Sequence, residues 1–575
     1  MIRFGRIFDR VSDADRRKTA EVQAIFRTAF PGEGDYAERI PELLEHRQER
    51  GYEVVLLTAE EEGDHVIGFA FAHYYPSLQF AYLDFIASDP DRRTLGIGGA
   101  LYEAAREHLA RKGARGLFMD VPPDDPALLK DLLRLPVNQQ RLKFYEQFGA
   151  FPVVGTGYEA TPPLGQTYDP PYLVYDPLGR QSPLRRADAR KVVREILTKK
   201  LGWDARDPYV TGVVRSFRDD PVRLRPPRYA PEEPAATPAS GRLRHIKLVV
   251  SDHHALHHVR ERGYVERPVR VDAILRGLSG LPLERVPVRP FDEQPIRAVH
   301  DDDFVTYLAT VCEGLEPGKA VYPYVFPVRR PEQKPRDMAT RAGYYCIDTF
   351  TPLSKSAYAA ARAAVDCAAT AADLVSQGEQ LVYAICRPPG HHAERRVYGG
   401  FCYFNNAAIA AHRLSARGRV ALVDIDFHHG NGSQDIFYHR DDVLVVSLHG
   451  HPNYAYPYFS GFEDERGHGA GLGFNRNYPL PEGVGDAQYM EVLEQALLEV
   501  RGFRPSWLVV SLGVDVMRGD PTGSFILTTR GMRHIGRALG RVGVPTLVIQ
   551  EGGYSLRNLA RGPRAFFLGL SRAWF

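Results

Sequence analysis

The C-terminal half of the chain repeats a simple hydrophobic pattern. Short apolar runs of strand length occupy residues 381–386, 420–423, 443–446, 507–512 and 546–549, and each is followed by a polar or glycine-rich segment. Stretches with helical periodicity, such as 406–414 and 486–500, lie between these runs. Strands that alternate with helices predict an α/β fold, in which a central parallel sheet is covered by helices on both faces.

A second α/β unit is predicted near the N-terminus. Residues 82–87 have the pattern of a strand, 88–94 that of a loop and 95–112 that of a helix. Glycines at the junction of loop and helix leave backbone N–H groups exposed at a helix N-terminus, which suits a pyrophosphate. A glycine-rich turn alone is weak evidence for such a site.

A proline-rich segment, residues 223–241, separates the two halves of the chain. Its prolines exclude a helix and remove backbone donors that a sheet needs, so we predict a semi-extended linker. An amphipathic helix over 187–201 precedes it and a strand over 246–250 follows it. We therefore expect a first domain over 1–180, a helical connector with the linker over 181–241, and a second domain over 242–575.

The composition is that of an ordinary globular protein. The 575 residues are 44% hydrophobic and 25% charged, with a formal net charge of +2. We therefore expect no binding to nucleic acid or to membrane surfaces. No run approaches the ~18 apolar residues of a membrane span, and the N-terminus lacks an apolar signal core. The five cysteines have no paired spacing, so we expect a cytoplasmic protein without a disulfide framework.

The strand over 420–423 runs into three potential metal ligands. Asp424, Asp426 and His428 follow at alternate positions, and side chains two residues apart on a strand share a face. In a parallel sheet, ligands collect beyond the carboxyl ends of the strands, so Asp515, after the strand over 507–512, is the expected third ligand. Two carboxylates and an imidazole suit a divalent metal such as zinc and leave positions for water and substrate.

Other polar side chains at the same sheet edge complete a hydrolytic mechanism. His391 and His392 are predicted to face the bound water, one as proton acceptor and later donor, the other as an electrostatic stabiliser. Asp424 and Asn431 are candidate partners that orient these imidazoles. Tyr554 follows two glycines and would donate its hydroxyl to a developing oxyanion. Together these residues predict hydrolysis of an amide.

Several of these residues also have structural interpretations. A lone aspartate at the end of a strand is commonly a cap or turn residue. The histidines of 253–258 have i, i+4 spacing, but no third ligand type accompanies them, which favours structural or surface roles. Cys386 and Cys402 are interpreted as packed thiols. Phe401 and Tyr456 could line a tunnel or simply fill the core.

Four segments resemble the signature blocks of the histone deacetylase superfamily, in its acetylpolyamine amidohydrolase-like branch. They are 387–393 (RPPGHHA), 400–406 (GFCYFNN), 424–432 (DIDFHHGNG) and 551–554 (EGGY), and the resemblance spans residues 246–575. It implies an arginase-like three-layer α/β fold, zinc held by Asp426, His428 and Asp515, the His391–His392 pair, and Tyr554 polarising the carbonyl. It also implies potassium near Asp424, Asp426, His428, Ser447 and Leu448, and an acetyl-amine tunnel walled by Gly400, Phe401 and Tyr456.

Two features bear on the substrate. Thr522 stands where some eukaryotic polyamine-selective relatives carry a glutamate gatekeeper, so that route to cation selectivity is missing. The segment 312–351 resembles an insertion that narrows the pocket and supports homodimers in acetylpolyamine amidohydrolases; whether Asp348 or another acid there grips an amine is left open. We expect small acetylated amines as substrates, with acetyl-lysine in proteins as the alternative.

The N-terminal blocks resemble the GNAT acetyltransferases over about residues 1–160. The match rests on the glycine-rich loop and on 138–149 (NQQRLKFYEQFG), with Arg141 in place of a small residue. It implies acetyl-coenzyme A binding and Tyr145 as a general acid toward the thiolate. A generic α/β domain, and a sensor that binds acetyl-coenzyme A without transfer, are the alternatives. The implied cofactor-binding residues are Arg93, Thr94, Leu95, Gly96, Ile97, Gly98, Gly99 and Asn138.

Overall fold

In a computed structural model the chain divides into two compact units, Met1–Ala239 and Ser240–Phe575. The structure describes residues 3–8, 12–46, 48, 51–61, 65–90, 97–159, 170–180, 182–229, 244–261, 263–327 and 332–572. Within these ranges, no helix has the length and apolar character needed to cross a membrane.

The first unit is built on a seven-stranded mixed sheet. Its strands are β1 (Arg3–Ile7), β2 (Glu53–Glu60), β3 (Val66–Tyr75), β4 (Phe80–Ser88), β5 (Leu117–Val121), β6 (Phe151–Pro152) and β7 (Tyr172–Asp176). Its helices are α1 (Asp13–Ala29), α2 (Gly34–Glu45), α3 (Ile97–Arg111), α4 (Leu135–Glu146), α5 (Arg186–Glu195), which continues as a π-helical turn (Ile196–Lys200), and α6 (Pro208–Ser216). The strand order is β1-β2-β3-β4-β5-β7-β6, and only β4 and β5 pair in parallel. The mixed sheet agrees with the predicted fold class.

Apolar side chains pack on both faces of this sheet. One core contains residues of α1, α2, α5 and α6, and the other contains residues of α3 and α4. The helix predicted over 187–201 is present as α5 and its π-helical turn. The described part of the predicted linker, 223–229, contacts this unit, because Arg225 pairs with Asp124 and Glu146 at 2.7 and 3.0 Å. Residues 230–241 lie outside the described ranges.

The second unit contains an eight-stranded sheet and a short antiparallel pair of strands. Its strands are β8 (Ile246–Val250), β9 (Leu283–Val286), β10 (Ala320–Val321), β11 (Leu353–Ser354), β12 (Leu381–Ile385), β13 (Val420–Asp424), β14 (Val443–Gly450), β15 (Asn475–Leu480), β16 (Trp507–Leu512) and β17 (Thr546–Gln550). Its helices are α7 (Val269–Gly277), α8 (Gln294–Arg297), α9 (Asp302–Gly314), α10 (Ala342–Tyr345), α11 (Ala357–Ser376), α12 (Asn406–Ser415), α13 (Asn431–Phe437), α14 (Asp486–Phe503), α15 (Thr529–Gly540) and α16 (Leu556–Leu570).

The large sheet is parallel throughout, in the order β15-β14-β13-β16-β17-β12-β8-β9. Strands β12, β13, β16 and β17 are almost fully buried, which explains their continuous apolar sequences. Helices pack on each face around a separate apolar core. The predicted three-layer α/β fold with a central parallel sheet is therefore confirmed.

Helix α16 begins directly after the loop that carries Tyr554, and it packs against α7. Gly277 of α7 makes the contact possible, because a Cβ there would overlap the carbonyl oxygen of Ala560 in α16. Backbone cannot yield as a flexible side chain can, so the two helices would have to separate.

We expect Gly277→Ala to lower the free energy of unfolding by about 1–3 kcal/mol, the usual cost of overpacking. Gly502→Ala is the matched control, because Gly502 also lies in a helix but has open space around its Cα. It should be neutral or stabilising by about 0.5–1 kcal/mol. Urea unfolding of the full chain measures both, and equal effects of the two substitutions would contradict the tight contact.

Candidate active site

Four neighbouring strands deliver polar side chains to one edge of the large sheet. The loop after β12 carries His391 and His392, and the loop after β16 carries Asp515. Tyr554 lies in the loop between β17 and α16. Most of the side chains at this edge are buried, with Asp424, Asp426 and Asp515 each 0% exposed. The edge is therefore a dense polar site enclosed by an apolar fold.

Asp426, His428 and Asp515 form a compact group that could hold a metal. One ligand atom from each lies within 4.8 Å of the others. His428 Nδ1 is 3.2 Å from Asp426 Oδ1 and 3.3 Å from Asp515 Oδ2. Strand β13 ends at Asp424, so Asp426 and His428 lie in the loop beyond it. Strand alternation therefore does not align these two side chains, contrary to the reasoning from the sequence.

Backbone N–H groups hold both carboxylates in place. Asp426 accepts hydrogen bonds from the N–H groups of His428 and Gly552 at 3.0 and 2.7 Å, and Asp515 accepts one from Phe427 at 3.1 Å. A Cβ on Gly552 would overlap both carboxylates, and a Cβ on Gly513 would overlap Asp426. Glycine at these positions lets two acidic side chains approach the backbone and each other.

The electrostatics of this group favour a cation. Asp515 Oδ2 is buried and, apart from its ionic contact with His428 at 3.3 Å, has no hydrogen-bond partner among the described residues. Burial and the negative charge of Asp426 raise the pKa of Asp515 to about 7. Burial lowers the pKa of His428, but contacts with Asp426 and Asp515 outweigh it and raise the pKa to about 9. A divalent metal would bind Asp515 Oδ2 and would displace the protons that Asp515 and His428 otherwise retain.

The two histidines stand side by side, with ring centroids 4.1 Å apart. His391 Nδ1 lies 2.9 Å from Asp424 Oδ2, and its Nε2 lies 3.8 Å from Asp426 Oδ1. Burial lowers the pKa of His391, but Asp426 and Asp424 raise it further, to about 10. Burial and the charge of His391 hold the pKa of His392 well below its usual value. The pair therefore combines one charged and one neutral imidazole.

Glu394 lies behind the neutral imidazole and was missed in the sequence. His392 Nδ1 is 2.7 Å from Asn431 Oδ1, and Asn431 Nδ2 donates to Glu394 Oε1 at 2.7 Å. Because Glu394 needs a donor, the amide presents its oxygen to His392, which then carries its proton on Nδ1. Burial and the neighbouring Asp435 raise the pKa of Glu394 to about 7. The position of Glu394, two residues after the histidine pair, was the only sequence signal for it.

A second metal-capable group consists of His391, Cys402 and Glu551. Burial raises the pKa of the Cys402 thiol well above its usual value, which opposes metal binding by a thiolate. Glu551 Oε2 already accepts the N–H groups of Gly390 and His391 at 2.6 and 3.1 Å. These residues are better explained as support for the histidine loop.

The loop that carries Tyr554 is held by a buried guanidinium and a buried carboxylate. Arg270 donates to the carbonyl oxygens of Gly553 at 2.8 Å and Glu551 at 2.5 Å, and its Cζ lies 4.8 Å from the Tyr554 ring centroid. Asp520 Oδ2 accepts the N–H of Tyr554 at 2.7 Å. The Thr522 hydroxyl donates to Asp520 at 2.9 Å. Thr522 therefore supports the loop in a chain that lacks a glutamate at that position.

Arg270 belongs to a buried triad with Glu266 and Arg387. Glu266 Oε1 accepts from Arg270 Nη1 at 2.9 Å, and Glu266 Oε2 accepts from Arg387 Nη2 at 2.9 Å. All three side chains are at most 2% exposed. Burial raises the pKa of Glu266, but the two guanidinium groups outweigh it and keep the pKa below its usual value, so the carboxylate is ionised.

Aromatic rings line the approach to the histidines. The Phe350 ring lies 5.4 Å from Phe401 and 5.7 Å from Tyr456, and Tyr456 lies edge-on to His392 at 4.8 Å. The Phe401 ring also contacts the Tyr554 ring at 5.5 Å. Phe401 has a φ of 67°, so its backbone is in the left-handed region that bulky residues rarely adopt.

Asp348 fixes this unusual turn. Its carboxylate accepts the Gly400 N–H at 2.5 Å, the Thr351 hydroxyl at 2.9 Å and the Tyr456 hydroxyl at 3.2 Å. A cavity of about 340 Å³ lies beside Tyr456, and its lining includes Asp348, Asn431 and Glu394. In this structure the hydrogen bonds of the Asp348 carboxylate come from Phe350, Thr351, Gly400 and Tyr456.

The remaining predicted site residues are the expected cofactor-binding residues of the N-terminal unit and those of the expected potassium site. Arg93, Thr94, Leu95 and Gly96 lie outside the described residues, whereas Ile97, Gly98 and Gly99 begin α3. Asn138 is buried and donates to the Pro123 carbonyl at 2.9 Å, and burial raises the pKa of Tyr145 to about 12. Asp424 and Ser447 face each other in adjacent strands, in the predicted potassium region.

The histidines of 253–258 join neither metal-capable group in the described part of the chain. His257 is fully buried, and burial lowers its pKa to about 4. The five cysteines are buried free thiols.

Comparison with known families adds to this geometry. Residues 264–570 match the histone deacetylase domain, and residues 19–150 match the acetyltransferase (GNAT) family. The chain is 39% identical over 325 residues to acetylpolyamine amidohydrolase 2 of Pseudomonas aeruginosa, covering 54% of this chain and 94% of that protein. It is 42% identical over 328 residues to acetylpolyamine amidohydrolase of Burkholderia pseudomallei, covering 55% and 96%.

One further relative and a solved structure match the same part of the chain. Histone deacetylase 15 of Arabidopsis thaliana is 34% identical over 322 residues, covering 54% of this chain and 53% of that protein. The crystal structure of acetylpolyamine aminohydrolase from Burkholderia pseudomallei superposes with a TM-score of 0.55 at 39% identity. It covers 57% of this chain and 99% of that one.

Because the triad is buried, removing its one negative charge leaves two guanidinium groups without compensation. We expect Glu266→Gln to destabilise the chain by about 3–5 kcal/mol, measured by urea unfolding. Glu284→Gln is the control, because the Glu284 side chain, which pairs with Lys247, is 56% exposed. The urea midpoint for unfolding of this variant should not change. An unchanged midpoint for Glu266→Gln would show that the triad does not bear on stability.

Proposed function

The chain belongs to the histone deacetylase family, and from this premise we propose that its C-terminal unit is a zinc-dependent amidohydrolase that removes acetyl groups from N-acetylated amines. One observation carries the proposal: Asp426, His428 and Asp515 converge within 4.8 Å beside two adjacent histidines, and the buried Oδ2 of Asp515 has no hydrogen-bond partner in the part of the chain that the structure describes. A cluster of perturbed titratable groups of this kind is typical of a catalytic site.

The donor set fits zinc. The two carboxylates and the imidazole would hold the ion and leave a position for a reacting group. When bound, zinc polarises a carbonyl group and lowers the pKa of water. The Asp426 hydrogen bonds from His428 and Gly552 would keep its carboxylate oriented for this role. Potassium near Asp424 and Ser447 remains a prediction from the resemblance.

The histidines divide the proton chemistry between them. His392 is neutral and carries its proton on Nδ1 toward Asn431, so its Nε2 lone pair is the proton acceptor for the attacking water. The same nitrogen then gives the proton to the departing amine. His391, charged through Asp424 and Asp426, stabilises negative charge that develops nearby.

Tyr554 completes the site as a hydrogen-bond donor. Burial holds its pKa well above the usual value, so the phenol remains protonated and able to donate to an oxyanion. Arg270 and Asp520 fix its backbone and ring. We assign Tyr554 to carbonyl polarisation because its loop ends at the same sheet edge as Asp515.

Small acetylated amines are the favoured substrates. The rings of Phe350, Phe401 and Tyr456 form a narrow aromatic approach that a methylene chain could thread. Two relatives that are named acetylpolyamine amidohydrolase match this unit over nearly their whole length. Acetyl-lysine in proteins is the second candidate, supported by the match to a histone deacetylase and by the missing glutamate at Thr522.

For the N-terminal unit we propose acetyl-coenzyme A binding at the start of α3. The match to the GNAT family supports it, and Gly98 and Gly99 leave the helix N-terminus uncrowded. Tyr145, with a pKa of about 12, would be a protonated donor toward a thiolate. A sensor that binds the cofactor without transfer is the alternative, and it predicts deacetylation that responds to acetyl-coenzyme A.

The first test combines metal content with turnover. The purified full chain should hold about one catalytic zinc and hydrolyse N-acetylputrescine, whereas Asp515→Ala should lose both, because two ligands do not retain the ion. His253→Ala is the control and should keep both. Mass spectrometry of the metal and product detection measure the outcome. Retained zinc and full turnover in Asp515→Ala would refute the assignment, and hydrolysis of acetyl-lysine peptides alone would favour the second substrate class.

A pH profile tests the link from Glu394 to His392. Ionised Glu394 polarises the Asn431 amide and raises the basicity of His392, and protonation near the Glu394 pKa of about 7 removes this effect. The ratio of wild-type kcat to that of Glu394→Gln should therefore be near one below about pH 6 and rise severalfold above about pH 8.

The exposed Glu316 provides the control for this profile, because Glu316→Gln should leave kcat unchanged at every pH. A KM that stays constant in Glu394→Gln would place the effect on the chemical step. A wild-type to Glu394→Gln ratio of kcat that does not vary with pH would show that Glu394 acts only through packing.

A further inference from the structure

A small cavity, here called the side cavity, adjoins the aromatic approach to the histidine pair. It has a volume of about 340 Å³, and the rings of Phe350 and Tyr456 belong both to its lining and to the approach. The Tyr456 ring also lies edge-on to His392 at 4.8 Å. A group attached to the nitrogen of an amide in the active site would therefore pass these rings and enter the side cavity.

Aromatic side chains also form the outer rim of the side cavity. Phe326, Tyr458 and Phe459 line it and are 39%, 43% and 93% exposed. Exposed apolar side chains that cluster beside a concave site are characteristic of a ligand-binding groove. Phe326 belongs to the segment 312–351 that was expected to narrow the pocket, whereas Tyr458 and Phe459 were not among the predicted site residues.

Both segments that carry these rim residues are held by the chain around them. The carbonyl oxygen of Val325 lies against Gly343 of α10, where a Cβ would overlap it. The loop that carries Tyr458 is anchored by Glu465, which accepts the Gly461 N–H at 2.9 Å. Tyr458 itself has a φ of 68°, and strained backbone of this kind is found at ligand clamps. The rim is therefore preorganised, which lowers the entropy that a ligand must overcome.

The charged groups of the side cavity already have partners. Among its described lining residues, only Asp348 and Glu394 are acidic and none is basic. Asp348 accepts three backbone N–H groups and two hydroxyls. Glu394 accepts the side-chain amide of Asn431, which in turn orients His392. An ammonium beside Glu394 would weaken this support, and burying an ammonium without a partner is costly, whereas burying hydrocarbon is favourable.

We infer that the side cavity binds the distal part of the substrate amine and selects an aromatic group over an ammonium. The inference rests on the proposed hydrolysis of acetylated amines and names a class among them, the N-acetylated arylalkylamines. A cavity of roughly 150 Å³ already admits benzene, so the side cavity has room for a phenyl group and a short linker. The rings of Phe350, Tyr456 and Phe459 would contact that group edge-on or with offset stacking.

The test compares three substrates of the full chain. N-acetylputrescine and N-acetylpentylamine have the same length but end in an ammonium and a methyl group, and N-acetylphenethylamine ends in a phenyl ring. We expect kcat/KM to rise in this order, with N-acetylphenethylamine at least about tenfold above N-acetylputrescine. A kcat/KM for N-acetylputrescine that equals or exceeds the other two would overturn the inference.

A rim variant locates the selectivity. Phe459→Ala should lower kcat/KM for N-acetylphenethylamine about threefold to tenfold, mainly through KM, and should leave N-acetylmethylamine unaffected because that substrate is too short to reach the rim. Leu498→Ala is the control, because Leu498 is 66% exposed on α14 and does not line the side cavity. An equal loss for the long and the short substrate would show that Phe459 acts only through the structure of its loop and would overturn its role in selection.

Equilibrium binding gives a second measurement that does not require turnover. In calorimetric titrations of the full-length Tyr554→Phe variant, the Kd for N-acetylphenethylamine should be at least about tenfold lower than that for N-acetylputrescine. Equal values would contradict the inference. Failure of the wild-type chain to hydrolyse any acetylated amine would overturn the proposed function and this inference with it, whereas hydrolysis with a preference for N-acetylputrescine would overturn this inference alone.

Discussion

One buried carboxylate holds the active-site edge together. Glu266 lies between the guanidinium groups of Arg270 and Arg387, and each cation fixes a different loop. Arg270 binds the carbonyl oxygens of the loop after β17, which carries Tyr554. Arg387 lies at the start of the loop that carries the two histidines and also donates to the carbonyl of His254. The position of Tyr554 relative to His391 and His392 therefore depends on this ion triad. Removing one member would leave a buried charge without compensation.

This triad carries a net positive charge, whereas several carboxylates are buried around the metal-capable group. Asp424, Asp426, Asp515 and Glu551 are all buried, and separating such charges from water is expensive. Backbone N–H groups and His391 compensate part of the cost, while Glu551 and Asp515 reach pKa values of about 7 because the compensation is incomplete. Metal binding would complete it. Stability of the fold and occupancy of the site are thus coupled through the same carboxylates.

Local sequence patterns predicted the parts of the structure that local forces determine. The five continuous apolar runs became buried parallel strands, but β9 and β15 were missed, since edge sequences such as Asn475–Leu480 are largely polar. The position of the site residues followed from the rule that loops after parallel strands share one edge. Arg270 could not be found in this way, because its contact with Glu551 spans 281 residues. The left-handed turn at Phe401 is likewise held by the distant Asp348 through Gly400.

The two proposed chemistries meet at the primary amine. Hydrolysis of an acetylated amine releases acetate and the free amine, whereas transfer from an acetyl thioester would consume that amine again. If both units worked at once on one compound, each round would hydrolyse one thioester and leave the amine unchanged.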